Sequence, residues 1–284
     1  MFIIELMNKI NNIKALIFDL DGTLLSSNKS IAPKTLQSLI SLKNQGMKII
    51  IATGRTPLAC MHKLMQLNLK TPMACANGSC IYDPEANSPV KEVSVIATSI
   101  ERLLKIAQET NKRVLLYTLK HTYVPEEFIK SYREISDAKE SDEVFDSIVP
   151  LESFKIGDEL VYKVIIHSNN IGYDTDFIKY IKNNIDDLEQ DLFLTFAHPD
   201  FLEIVDKSIN KYDSLSGILK SLNIKDDEVI AFGDGVNDIE MLGKFSYSVA
   251  MNNASDEVKK VATFTTDSND DEGIYKFLKK NDLI

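Results

Sequence analysis

Apolar and polar positions divide the chain into three textures. Ala15-Leu16-Ile17-Phe18 is an unbroken apolar run that stops at Asp19-Leu20-Asp21-Gly22-Thr23, the pattern of a strand buried on both faces in a helix-covered parallel sheet. Residues 47–52 repeat it and end in Thr53-Gly54-Arg55, and residues 73–76 form a third short strand before Asn77-Gly78, a turn signal. Between the first two strands, Leu36, Leu39, Ile40 and Lys43 recur at helical spacing after Pro33, with the apolar members predicted to face inward and Gly46 as the stop. Thr56 reads as the N-cap of a second helix with Pro57 at its first position. Its Leu58, Met61, Leu64 and Met65 are predicted core residues. Strand, helix, strand, helix, strand makes a right-handed βαβαβ unit.

The texture changes near Asp83-Pro84 and stays more polar until about Glu203. Residues 99–111 read as an amphipathic helix with Leu103, Leu104 and Ala107 inward, 113–119 and 122–124 as a hairpin, and 126–135 as a further helix. The acidic, Ser-containing stretch 136–146 reads as a loop, 160–167 as a strand, 175–185 as a helix, and 192–197 with 201–205 as a second hairpin around His198-Pro199-Asp200. The domain expectation is therefore an α+β segment, 84–203, inserted into an α/β core made of 1–83 and 204–284. After the insertion the α/β texture returns: a helix over 213–222 with Leu215, Ile218, Leu219 and Leu222 on one face, a strand over 229–232, a helix opening at Ile239, short strands at 247–251 and 262–265, and a closing helix over 273–280.

Composition narrows the class of function. The 284 residues are 44% hydrophobic and 26% charged, as in a globular protein with ample core, and the net charge of −10 argues against nucleic acid or an acidic membrane surface as the main partner. No apolar run reaches the roughly 18–20 residues that span a bilayer, and residues 1–12 lack the ordered pattern of a signal peptide. Met7 is an alternative start. Cys60, Cys75 and Cys80 are odd in number and lack metal-type spacing, which leads to an expectation of reduced thiols and a cytoplasmic location. The four histidines are scattered, and neither a dinucleotide fingerprint nor a P-loop occurs.

Candidate chemistry gathers at strand ends. Asp19 and Asp21 stand off the carboxyl end of a dry strand, where open α/β sheets bind ligands. Two such anions call for a cation, most simply Mg²⁺, a hard ion suited to carboxylate and carbonyl oxygens. Asp19 is a candidate nucleophile, because a carboxylate can carry an aspartyl-phosphate, and Asp21 a candidate general acid and base. Gly233-Asp234-Gly235-Val236-Asn237-Asp238 follows another predicted strand and brings a second acidic turn. Opposed carboxylates on neighbouring strand ends repel unless a cation bridges them. Lys207 and Lys211, both ahead of the helix expected at 213, are the rival candidate cations for the site.

Together, DLDGTLL at 19–25, Thr53-Gly54-Arg55, Lys211 and the GDGVND run resemble, in the required order, the four motifs of the haloacid dehalogenase-like phosphohydrolases. An insertion after Asn77-Gly78 and before Lys211 is similar to that of the Cof-like, α/β-capped branch. The resemblance implies a Rossmann-like core with an inserted cap covering the site, and a Mg²⁺-dependent phosphatase of small phosphorylated metabolites such as sugar phosphates. It implies Asp19 as nucleophile, Asp21 as acid and base, and Leu20, Thr53, Gly54, Lys211 and Asn237 as phosphate contacts. The metal ligands it implies are Asp19, Asp21 through its backbone carbonyl, and Asp234, with Asp238 orienting its neighbours. A phosphomutase of the same superfamily and a catalytically silent metabolite-binding protein remain the alternatives, and a monomer or small homo-oligomer is expected. One departure is Met251-Asn252-Asn253-Ala254, where many relatives have glycine at the second position; Asn252 is expected to tolerate a left-handed backbone there.

Overall fold

The structure, a computed structural model, describes residues 12–135, 141–167, 180, 192–198 and 201–284. Its first elements are β1 (Ala15–Phe18), α1 (Pro33–Asn44), β2 (Lys48–Ile51), α2 (Pro57–Leu64), β3 (Met73–Cys75), β4 (Cys80–Asp83) and β5 (Ser88–Glu92). There follow α3 (Ala97–Glu109), β6 (Arg113–Tyr117), β7 (Thr122–Val124), α4 (Glu126–Ile135), α5 (Asp142–Asp146), β8 (Ile148–Pro150), β9 (Lys163–His167), β10 (Leu192–His198) and β11 (Phe201–Asp206). The last are α6 (Lys211–Ser221), β12 (Val229–Gly233), α7 (Ile239–Lys244), β13 (Tyr247–Ala250), α8 (Asp256–Val261), β14 (Phe264–Thr265) and α9 (Gly273–Lys280). The chain separates into two compact units: Met1–Gly54, Lys63–Val90 and Asn210–Ile284 form one, and Arg55–His62 with Lys91–Ile209 form the other.

In the first unit a five-stranded sheet runs in the order β14-β13-β12-β1-β2 with every pair parallel. All four residues of β1 are buried, as its unbroken apolar run requires. Phe18 stands in register with Phe232 on one side and Ile51 on the other, so β1, β12 and β2 end at the same level. The parallel order continues through a bridge between Ala52 and Ala74. The expected α/β fold on a parallel sheet is borne out. Ile17, Ile50, Ala231, Leu215, Leu219, Met241 and Val258 belong to one packed cluster, and each large aliphatic side chain so buried contributes about 1.5–3 kcal/mol. That reserve lets the strand ends carry buried charge.

In α1 the buried residues are Thr35, Ser38, Leu39 and Leu42, while Leu36 and Ile40 are only partly buried. The inward face is rotated from the expected one because Thr35 has a partner that the periodicity does not reveal. Its N–H and Oγ1 both donate to Glu272 Oε2, at 3.1 and 3.2 Å. That carboxylate caps a helix whose own N-cap, Ala32, offers no side-chain acceptor. Met65, expected in the core, is 72% exposed, since α2 ends at Leu64 and a 3₁₀ turn redirects the chain. The Asn77 turn joins β3 to β4 as an antiparallel pair with Cys75 opposite Cys80, and all three cysteines are buried and unbridged.

In the second unit a six-stranded sheet runs β10-β11-β9-β6-β7-β8, antiparallel except for β7 with β8. Leu103, Val114, Leu116, Val164, Ile166 and Ile204 form its main apolar cluster. Leu58 packs against a second one containing Leu115, Val124, Phe128 and Ile148. The stretch expected as a loop over 136–146 contains α5, started by Ser141, whose side chain accepts from Val144 N–H. Leu160, expected in a strand, is exposed, and β9 begins at Lys163. The strands β5 and β8 and the helix α8 were not anticipated. The helix expected over 175–185 lies outside the described residues apart from position 180.

Candidate active site

Because β1, β12, β2 and β13 are parallel and level, the residues that follow them meet along one sheet edge. Asp19 N–H donates to Phe232 O at 3.0 Å, Ala52 N–H to Phe18 O at 2.9 Å, and Met251 N–H to Gly233 O at 3.1 Å. Turns rather than regular structure carry the functional side chains onward from these anchors. After β1 the chain closes on itself through Thr23 and Leu25 N–H donating to Leu20 O. Gly22 makes that turn with φ +82°, and a Cβ there would collide with the Asp234 carboxylate.

At the centre is a buried ammonium shared by two carboxylates. Lys211 Nζ lies 2.6 Å from Asp19 Oδ1 and 2.6 Å from Asp238 Oδ1. It is only 1% exposed. The residue sits at the start of α6, not ahead of it as expected, because Asn210 is the N-cap and accepts from Asp213 N–H at 2.8 Å. Lys207, the rival cation, is exposed. The second oxygen of Asp238 accepts from Asp234 N–H at 3.0 Å and Gly235 N–H at 2.9 Å. Both oxygens of this fully buried carboxylate are therefore engaged by protein donors.

Asp19, Asp234 and Asp238 each bring one carboxylate oxygen within 4.8 Å of the others. Three carboxylates facing one ammonium leave a surplus of negative charge. Hard oxygen donors with that surplus fit a divalent cation such as Mg²⁺. The same crowding is visible in the titration of the groups. Burial pushes Asp19 up to about 8, opposed by Lys211 and reinforced by Asp238 and Asp234. Asp234 is pushed up to about 6, again chiefly by burial, with the Thr23 hydroxyl pulling the other way. For Lys211 burial works downward, but Asp19 and Asp238 outweigh it and hold the ammonium above its ordinary range.

The remaining expected residues occupy the same unit. The Asp21 side chain pairs with Lys29 Nζ at 2.9 Å and stays partly exposed, while its backbone remains in the β1 turn. Leu20 is fully buried. Thr53 is buried too; its N–H donates to Ala74 O at 2.8 Å and its carbonyl accepts from Asn77 N–H at 2.9 Å. Gly54 runs beside Asn77, whose Oδ1 would lie 3.1 Å from a Cβ at that position. Asn237 Nδ2 donates to the same Oδ1 at 3.0 Å, so Asn77 links the Thr53-Gly54 turn to the GDGVND turn.

Sequence reasoning missed two contributors. Thr23 Oγ1 donates to Asp234 Oδ1 at 2.5 Å. Asn253 Nδ2 donates to Gly22 O at 2.8 Å and to Asp234 Oδ2 at 3.1 Å. Its neighbour Asn252 is not among the residues with positive φ, so the substitution for glycine needs no left-handed backbone. The signal available in sequence was the asparagine itself, beside an otherwise apolar strand end.

An acidic cluster and a buried ammonium at the carboxyl edge of a parallel sheet define an α/β enzyme that handles anions and cations together. The chain belongs to the haloacid dehalogenase-like hydrolase family, whose profile matches residues 16–278, and it is a phosphatase. The resemblance read from the motifs is borne out. The chain is 29% identical to 5-amino-6-(5-phospho-D-ribitylamino)uracil phosphatase YitU of Bacillus subtilis, covering 92% of this chain and 95% of that protein. It is 25% identical to pyridoxal phosphate phosphatase YbhA of Escherichia coli, covering 93% and 97%. Among solved structures it is similar to a haloalkanoate-superfamily phosphatase from Bacteroides thetaiotaomicron, with TM-score 0.78, 27% identity and 96% of both chains covered. No helix among the described residues is long and apolar enough to cross a membrane.

Proposed function

We propose that this phosphatase hydrolyses small phosphorylated metabolites, sugar-phosphate-like monoesters, with Mg²⁺ and through an aspartyl-phosphate on Asp19. The observation that carries the reading is the Lys211 ammonium shared between Asp19 and Asp238 at 2.6 Å each. It keeps one Asp19 oxygen fixed and supplies positive charge where a phosphoryl group must approach. The Asp19 carboxylate attacks phosphorus, an oxygen–phosphorus bond forms, and the bond to the leaving oxygen breaks in line. Asp21 gives a proton to that leaving alkoxide. A water then attacks the phosphoryl group on the opposite side, Asp21 takes its proton, and phosphate leaves with the Asp19 carboxylate restored.

In this reading Asp19, the Asp21 carbonyl and Asp234 would hold Mg²⁺, which when bound offsets the negative charge of phosphate and carboxylates. The Thr53 hydroxyl and the N–H groups of Leu20 and Gly54, with Asn237, receive the phosphoryl oxygens, and Asp238 orients Lys211 and the 234–235 turn. Residues 84–203 serve as the inserted cap that selects the substrate. Support for a small substrate comes from the relatives named for a ribitylaminouracil phosphate and for pyridoxal phosphate. Both are compact monoesters.

A screen of phosphorylated metabolites for inorganic phosphate release, with Mg²⁺ and with EDTA, tests the proposal. Release that needs Mg²⁺ and favours small monoesters is expected. Isomerisation of a sugar phosphate without phosphate release would replace it with the mutase reading.

A further inference from the structure

The Asp234 carboxylate is gripped from two sides. Thr23 Oγ1 donates to its Oδ1 at 2.5 Å, and Asn253 Nδ2 donates to its Oδ2 at 3.1 Å. The same amide nitrogen donates to Gly22 O at 2.8 Å, and Asn253 Oδ1 accepts from Asn269 N–H at 3.3 Å. One short side chain thus joins three segments: the turn after β1, the end of β12 and the stretch ahead of α9. An asparagine amide offers two N–H donors and an acceptor in a single plane, and here both functions are used. Aspartate at this position would set a like charge against Asp234, and alanine would leave Oδ2 and the Gly22 carbonyl without this donor. The Gly22 turn has no room to compensate, because it already presses on Asp234 closely enough to exclude a Cβ.

We propose that Asn253 is a positioning residue for the cation-holding carboxylate, fixing the rotation of Asp234 relative to the Gly22 turn. The inference rests on the Mg²⁺ reading above and adds a residue to it that touches neither phosphate nor cation. Partners that hydrogen-bond a metal ligand fix its orientation, and losing one typically weakens metal binding by about ten- to a hundredfold.

The test is isothermal titration calorimetry of Mg²⁺ into substrate-free wild type, Asn253→Ala, Asn253→Ser and Asn269→Ala. The expected result is a drop in Mg²⁺ affinity of about ten- to a hundredfold for Asn253→Ala, with a smaller drop for Asn253→Ser, which keeps a shorter donor. Asn269→Ala removes the tie from its Nδ2 to Leu25 O at 2.9 Å but retains the backbone donor to Asn253, and is expected to bind Mg²⁺ as wild type does. Unchanged affinity in both Asn253 variants overturns the positioning role while leaving the metal reading intact. An equal loss in Asn269→Ala overturns it as well, because the loop as a whole would then set the affinity. Wild type that takes up no Mg²⁺ overturns the metal reading and this inference together.

Discussion

The Lys211 ammonium lies 2.6 Å from Asp19 Oδ1 although 192 positions separate the two residues in sequence. Neither group would be tolerated alone at this depth, since a lone buried charge costs several kcal/mol. The pair exists because α6 begins where β1 ends, and because Asp238 supplies a second acceptor on the far side of the ammonium. Removing the cation should therefore be felt in stability as well as chemistry. Lys211→Ala leaves two buried carboxylates facing each other, and a loss of about 3–5 kcal/mol is expected in EDTA. Urea denaturation of the metal-free variant against wild type measures it, and added Mg²⁺ should recover part of the loss.

Gly22→Ala tests the turn after β1. Its φ of +82° disfavours any Cβ, at a cost of about 1–2 kcal/mol. The added methyl also meets the Asp234 carboxylate. The variant should lose Mg²⁺ affinity together with turnover. A variant with wild-type Mg²⁺ titration would show that the contact between turn and carboxylate is unimportant.

Mg²⁺ itself should stabilise the folded chain. A ligand present at a hundred times its dissociation constant adds about 2.7 kcal/mol. Because carboxylates must be deprotonated to bind a cation, the rise in Tm on adding Mg²⁺ should be larger at mildly alkaline than at mildly acid pH. Differential scanning calorimetry with Mg²⁺ and with EDTA reads both effects. A Tm indifferent to Mg²⁺ across that range would contradict the metal assignment.

The second unit has a pH dependence of its own. Partial burial works to raise Glu159, but hydrogen bonds from Thr118, Tyr123 and His121 prevail and hold its carboxyl below the ordinary 4.5. A lowered carboxyl contributes stability above the ordinary value and loses it as pH falls through the lowered one. Glu159→Gln should accordingly be less stable than wild type at neutral pH, with the gap closing below pH 4.5. Thermal unfolding of both proteins along an acid series checks the direction.

Much of the first unit was legible because its strands are dry on both faces and leave unbroken apolar runs. The carboxyl-edge turns were legible because glycine and aspartate interrupt those runs abruptly. What escaped was local capping and long-range pairing. The tetrapeptide Ser-Asp-Glu-Val occurs at 141–144 and again at 255–258, and both times the serine accepts from the valine N–H and starts a short helix. Hydrophobic periodicity overlooks such helices because five or six residues hold too few turns to show it. The inward face of α1 was misjudged for a different reason: Glu272, 237 positions beyond Thr35, satisfies two polar groups that spacing alone assigns to solvent. Asn253 was hidden likewise, since its partners Gly22 and Asp234 lie on other strand ends.

The central claim is that Asp19 carries the phosphoryl group. Asp19→Asn should fold as wild type and lose at least about a thousandfold in turnover, as removal of a nucleophile does. Rapid acid quench during turnover of a small phosphomonoester with Mg²⁺, followed by peptide mass spectrometry, tests the claim most directly. The account predicts one phosphoryl adduct on Asp19 in wild type and none in Asp19→Asn. Near-normal phosphate release by Asp19→Asn, with no adduct on Asp19 in wild type, would contradict it.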